Sequence, residues 1–196
     1  LEQTRLELTT KSLSRIMAQV DARTARTSLQ IRKGRMDERV MAAEQIYSVY
    51  ADNIYVVENT FCATMSSIEN DVEVFIKEKQ QKPVVVIDYL QVIQPPEDSN
   101  KTAKDLVDMH VSRLKRLQAK YKIVMMVVSS FNRQNYLTQV DFESFKESGG
   151  IEYTADVVWG LQLEVLHDKL FNSAAKINEK RQKIKEAKAA NPRRVE

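Results

Sequence analysis

Four apolar residues, Val84-Val85-Val86-Ile87, run directly into Asp88. A carboxylate at the end of such a run sits at the rim of a low-dielectric sheet. There it can orient a water on Mg²⁺, a hard cation that prefers oxygen ligands. Nucleoside triphosphatases use an acid in this position, but many parallel strands end in Asp, and the run alone equally suits an Asp that caps a turn. A second apolar run, Ile123 to Val128, opens into Ser129-Ser130. In open α/β sheets, ligands bind outside the carboxyl ends of the strands. The residues around Asp88, those around Ser129-Ser130 and the start of the chain are therefore the places where a site is expected.

The elements that must position these groups can be read from periodicity. Thr4-Arg5-Leu6-Glu7 fits a capping box, and Leu6, Leu13, Ile16, Met17 and Val20 continue as a helix face. Ser28 to Lys33, ending at Gly34, and Asp37 to Tyr50 read as further helices. Ile54 to Val57 is short, β-branched and aromatic, which predicts a strand. Ser66 or Ser67 is the expected cap of a helix running to about Lys79. The continuous run Val84 to Ile87 suits a strand buried on both faces of a parallel sheet. Pro95 to Asn100 is a loop by composition, and Thr102 to Tyr121 is an amphipathic helix. Ile123 to Val128 is a second buried strand. Asp141 to Glu147 reads as a short helix, Gly149-Gly150 as a turn and Val157 to Val165 as a third strand. Strands alternating with helices predict an α/β fold with a mainly parallel sheet and helices on both faces.

Composition narrows the function classes. The chain has 196 residues, 43% of them apolar and 29% charged, which suits a globular chain with a real core. No apolar run approaches the ~20 residues needed to cross a bilayer. One cysteine, Cys62, excludes an internal disulfide framework and a cysteine-based zinc cluster. It points to a reducing compartment and reads as a small buried or partly buried residue. Two histidines, His110 and His167, exclude a His-rich metal site, and Trp159 and Met125-Met126 read as core. Net charge is +3, but residues 166–196 hold 9 Lys/Arg against 4 Asp/Glu, so the basic character lies at the end of the chain. Such a block reads either as a solvated helix or as a surface for phosphates. The expected division is 1–165 as the core and 166–196 as a basic, helical appendage.

The motifs fall in a specific order. Val85-Val86-Ile87-Asp88-Tyr89-Leu90-Gln91 is followed by Leu114-Lys115-Arg116-Leu117, then Val127-Val128-Ser129-Ser130-Phe131-Asn132-Arg133. Lys146-Glu147-Ser148-Gly149-Gly150-Ile151-Glu152 and Ala155-Asp156 complete the series. This series resembles the RecA-like C-terminal ATPase domain of DnaB-type replicative helicases over roughly Leu1 to Leu161. The resemblance implies a RecA-like P-loop NTPase core, incomplete at both ends. It implies ATP and Mg²⁺ as cofactors and single-stranded DNA as partner. It further implies a homohexameric ring, a possible primase and helicase loader, a cytoplasmic location and no membrane.

The resemblance also implies residue roles. Glu2 matches the carboxylate that polarises the attacking water, a base that must lie within hydrogen-bond reach of it. Asp88 matches the acid linked to Mg²⁺. Ser130 stands where the family has a Gln that senses the γ-phosphate. Serine is shorter and lacks the amide, so Ser129 or Asn132 is a candidate to share that role. Asn132 and Arg133 match the family's Asn-Arg pair. Lys146, Glu147, Gly149 and Gly150 match its Arg-Glu-Ser-Gly loop, where backbone amides and a basic side chain hold DNA phosphates. Lysine at 146 keeps the charge but gives up the bidentate fork. The sequence holds no G-x-x-x-x-G-K-[ST] phosphate loop. In the family that loop precedes the stretch at which this chain starts, and a trans arginine finger follows its end. The chain is thus expected to be a piece of a longer ATPase that hydrolyses ATP poorly by itself. The alternative reading is a non-catalytic RecA-like scaffold or DNA-binding module of a replication or recombination complex.

Overall fold

The computed structural model describes residues 3–34, 37–58, 62–96, 100–132, 137–141, 144–145, 150–173, 176–190 and 195, with only the backbone of Glu152. The chain forms two compact units, 1–63 and 64–196.

The first unit is helical. Helix α1 spans Arg5–Val20, α2 Ser28–Lys33 and α3 Glu38–Ala51. The capping box at Thr4 is present. The Glu7 backbone N–H donates to Thr4 Oγ1 (3.3 Å), and the Thr4 N–H donates to Glu7 Oε2 (3.1 Å). Each bond satisfies a donor that the first helical turn would otherwise leave unpaired. The bond to the Thr4 backbone holds the Glu7 carboxyl below its ordinary pKa. Thr27 with Gln30, and Asp37 with the Val40 N–H, start α2 and α3 in the same way. Leu13, Ile16, Met17, Val40 and Ala43 form the core of this unit, with Ile31, Tyr47 and Tyr50 packed against them. Leu6 and Val20, expected on the inner face of α1, are 63% and 75% exposed.

The strand expected at Ile54 to Val57 does not form. Its backbone engages the first turn of α1 instead: Arg5 donates through its backbone N–H to Glu58 Oε1 (2.7 Å) and through Nη2 to Val56 O (3.3 Å). β-branched composition needs a neighbouring strand to become a ladder. Cys62, expected to be at least partly buried, is exposed.

The second unit carries the sheet. Strands β1 (Val84–Ile87) and β2 (Val124–Val127) pair in parallel, Val84 opposite Val124 and Ile87 opposite Val127. Helices α4 (Met65–Lys79) and α5 (Ala103–Tyr121) cover one face. Val72, Leu117 and Ile123 form its core, with Ile76, Val85, Tyr121 and Met125 packed on it. Side chains alternate across a strand, so Val84, Val86, Val124 and Met126 point to the other face and are 45–64% exposed. The expectation of strands buried on both faces therefore holds for one face only. Of the methionine pair, Met125 belongs to the core and Met126 does not.

Helix α4 is capped by Thr64, not by a serine. Ser67 donates its N–H to Thr64 Oγ1 (3.1 Å) and accepts from the Thr64 N–H (3.0 Å). Thr102 and Asp105 form the box that starts α5, and their hydrogen bonds keep the Asp105 carboxyl below its ordinary pKa. Arg113 of α5 grips Glu69 of α4 with two bonds, Nε to Oε1 (2.9 Å) and Nη2 to Oε2 (2.6 Å). Lys120 pairs with Glu73 at 2.7 Å. Each bond joins α4 to α5, so the two helices approach the sheet as one layer.

The third expected strand, Val157 to Val165, is also absent. Among the described residues its only ladder contact is an isolated antiparallel bridge from Leu163 to Val195, and Glu164–His167 forms a 3₁₀ turn. Trp159, read as core, is 77% exposed. Of the helix expected at Asp141 to Glu147, only 141, 144 and 145 are described. There Ser144 is buried, and Phe145 bridges Phe131. Helix α6 (Gly150–Thr154) packs against α5, and α7 (Ile177–Ala189) is the last described helix. No described helix is long and apolar enough to cross a membrane.

Candidate functional site

The carboxyl ends of β1 and β2 form one rim. Beyond the strands the ladder continues: the Val128 N–H donates to Ile87 O (2.9 Å), and the Leu90 N–H donates to Val128 O (2.9 Å). Asp88 lies between these two bonds in sequence, at the tip of β1, and is half-buried. The Asp88–Tyr89 peptide is cis. After Tyr89 the chain turns at once into a 3₁₀ helix, Leu90–Val92, whose Leu90 and Val92 are buried. This anchors the residues following the acid under the sheet rather than leaving them in a loop.

Gln91 then reaches across to β2. Its Nε2 donates to Ser129 Oγ (2.8 Å), and its Oε1 accepts from the Ser130 N–H (3.3 Å). One amide side chain thus fixes both serines relative to the strand end that carries Asp88. Sequence reasoning placed Gln91 in the motif but gave it no task. No local signal announces contacts between residues 38 and 39 positions apart. The serines' hydroxyls and the Asp88 carboxylate bring only oxygen ligands to this rim, a donor set that suits a hard cation shared with phosphates. Among the described residues, no group of three or more His, Cys, Asp or Glu could hold a metal by itself.

Downstream of the serines the chain is pinned again. The Asn132 N–H donates to Ser144 O (2.9 Å). Ser144 Oγ donates to Asp141 Oδ1 (2.7 Å) and accepts from the Asp141 N–H (2.8 Å). The rings of Phe131 and Phe145 meet edge to face with centroids 5.6 Å apart. Asn132 is thereby joined to the residues that lead directly into Lys146. Gly150, at the other end of that segment, opens α6. Beyond α6, Asp156 receives both its bonds from Lys115 Nζ of α5, at 2.9 and 2.8 Å.

Of the expected site residues, the structure brings Asp88, Ser129 and Ser130 to one rim. It fixes Asn132 by its backbone and places Gly150 at a helix start. Glu2, Arg133, Lys146, Glu147 and Gly149 lie outside the described residues.

A half-buried carboxylate closes one parallel strand of this α/β fold, and two serines stand at the end of the adjoining strand. The comparisons make this specific: residues 1–193 match the DnaB-like helicase C-terminal domain, and the chain belongs to that family. No curated protein sequence matches it. Among solved structures it is similar to a DnaB-like replicative helicase determined with its interactions with primase (17% identity, TM-score 0.67). That match covers 89% of this chain and 41% of the other. It is also similar to a second solved structure, that of an ATPase domain (18% identity, TM-score 0.68), covering 89% of this chain and 61% of that one. At such identities the likeness establishes the fold. The chain spans about two fifths of the first of these structures and about three fifths of the second.

Proposed function

We propose that this chain is part of a replicative DNA helicase that couples ATP hydrolysis to translocation along single-stranded DNA and to duplex unwinding. In this reading residues 1–165 are part of the RecA-like core and residues 166–196 a basic appendage. The intact protein works as a homohexamer, with primase and a loader as partners of the ring. The observation that carries the reading is the rim where Asp88 ends β1 and Gln91, three residues on, bonds Ser129 and Ser130 at the end of β2.

Asp88 is the carboxylate that would hold Mg²⁺ with ATP, and the cation supplies neutralisation of the phosphate charge. Ser129 and Ser130 offer hydroxyls toward the same ligand. Glu2 is the general base that polarises the attacking water. Asn132, Arg133, Lys146, Glu147, Gly149 and Gly150 are the residues assigned to DNA. Contacts of that kind grip the backbone rather than the bases and weaken as salt rises.

The test is Asp88→Asn in the intact protein. The amide keeps the shape but loses the charge that attracts the cation. Magnesium-dependent ATP turnover should fall by at least about 100-fold, while the far-ultraviolet circular dichroism stays unchanged. Retained turnover with an intact fold would sink the assignment of Asp88.

A further inference from the structure

We propose that Gln91 is a positioning residue that sets the Ser129 hydroxyl as a hydrogen-bond donor to a phosphate oxygen at the rim, a role that rests on the nucleotide site proposed above.

The orientation of the Gln91 amide is decided by a backbone group. The Ser130 N–H can only donate, so the amide atom 3.3 Å from it is the carbonyl oxygen Oε1. The other end of the amide, Nε2, can only donate as well, and it lies 2.8 Å from Ser129 Oγ. A flipped amide would set two donors face to face at Ser130. Both contacts therefore have a fixed polarity.

That polarity decides what Ser129 can do. A serine hydroxyl holds one proton and two lone pairs. Gln91 engages a lone pair and leaves the proton. Among the described residues Ser129 makes no further hydrogen bond, and it is half-buried, where a hydroxyl proton calls for an acceptor. The Ser130 N–H, by contrast, is committed to Gln91. The amide protons that face Ser129 Oγ also add positive potential at that oxygen, which favours an anion beside it over a cation. The rim thus presents two opposite polarities, the Asp88 carboxylate for a cation and the Ser129 O–H for an oxyanion. A phosphate that carries its own magnesium offers both partners in one ligand.

The amide cannot drift from the hydroxyl. Gln91 sits inside the 3₁₀ helix Leu90–Val92, between two buried residues. The Leu90 N–H donates to Val128 O at 2.9 Å. Gln91 and Ser129 are each the next residue after a partner in that backbone bond.

Gln91→Glu in the intact protein tests the proposal. A carboxylate has no proton to give: it accepts from the Ser130 N–H as before and takes the Ser129 proton. Both cross-strand bonds survive, but Ser129 is no longer a donor toward a ligand. The urea midpoint of the ligand-free protein should stay close to that of the unmodified protein. Affinity for the magnesium complex of a non-hydrolysable ATP analogue should fall at least about tenfold, and Ser129→Ala should weaken it comparably. Ser129→Thr keeps the hydroxyl and should retain most of the affinity. The added charge of the glutamate weakens binding whatever Ser129 does, so the coupling between the two sites is decisive. Gln91→Glu should cost at least about fivefold less affinity in the Ser129→Ala background than in the unmodified protein. Equal costs in both backgrounds, or an unchanged affinity in Ser129→Ala, would overturn the roles of Gln91 and Ser129 and leave the nucleotide site standing. An unmodified protein that does not bind the analogue would overturn both.

Discussion

Gln91 Nε2 donates to Ser129 Oγ over 2.8 Å while its Oε1 accepts from the Ser130 N–H. The two strand ends are therefore braced by a side chain as well as by the backbone ladder. Gln91→Leu keeps the size but leaves the Ser130 N–H without this acceptor, so unfolding stability should fall by about 1–2 kcal/mol. Gln91→Glu retains an acceptor for both partners and should cost less. Urea midpoints of the two variants decide this. Equal losses would mean that the amide acts by packing alone.

The two ion pairs of α5 should differ in strength. Arg113 meets Glu69 with two short, nearly parallel bonds and a third to Ser66 Oγ (3.2 Å), and both charged side chains are about 30% exposed. Lys115 and Asp156 are 39% and 78% exposed, and an exposed pair gains little in water. Double-mutant cycles should give about 1 kcal/mol of coupling for Arg113–Glu69 and at most about 0.5 kcal/mol for Lys115–Asp156. Raising salt should erase the second before the first. The reverse ranking would assign Lys115 a task beyond holding Asp156.

His110 should make the second unit acid-sensitive. It is 2% exposed on α5, and its Nε2 has no hydrogen-bond partner among the described residues. Burial, and secondarily the charge of Arg113, push its pKa below the ordinary histidine value. The folded chain thus keeps His110 neutral at pH values where the unfolded chain has protonated it. The unfolded state then binds more protons, so stability is full above about pH 6.5 and declines as pH falls through and below that value. His110→Leu removes the group that must be kept neutral. Its urea midpoint should change less than the wild type's between pH 7.5 and 5.5. A wild-type midpoint that is flat over this range would refute the burial account. The carboxylates with lowered pKa, such as Asp105 and Asp168, lose their contributions only at lower pH.

What the sequence shows depends on how local the cause is. The Thr4–Glu7 box and the Asp37 cap are legible because all their partners lie within one turn. At α4 the same logic is legible but misplaced by two or three residues, because Ser67 serves as the reciprocal partner of Thr64 and not as the cap. Asp88 is legible as a strand terminus, since a charged residue ends a contiguous run of four apolar ones. Gln91 is not, because its bonds cross to β2. The segment from Val157 to Val165 is rich in apolar residues, as a strand should be, yet strand identity belongs to the pair and not to the segment. Val157, Trp159 and Leu161 instead stand exposed. The family resemblance points to the same rim as the strand ends do, because both rest on short, contiguous motifs.

The open sheet face gives the last prediction. Val86 and Met126 are neighbours in register on that face, 60% and 45% exposed, while Ile87, the next residue of β1, is 3% exposed on the covered face. Contiguous exposed apolar surface promotes association. Val86→Thr with Met126→Thr puts β-branched residues at both strand positions and removes apolar area that is largely exposed. The change should raise the soluble fraction and lower binding of a hydrophobic dye, with the urea midpoint nearly unchanged. Ile87→Ala removes buried methyl and methylene groups one position away and should cost about 2–5 kcal/mol. If the threonine pair instead proved as costly as Ile87→Ala, the Val86 face would have to be covered in solution, and this chain would fold against a surface that the isolated unit does not supply.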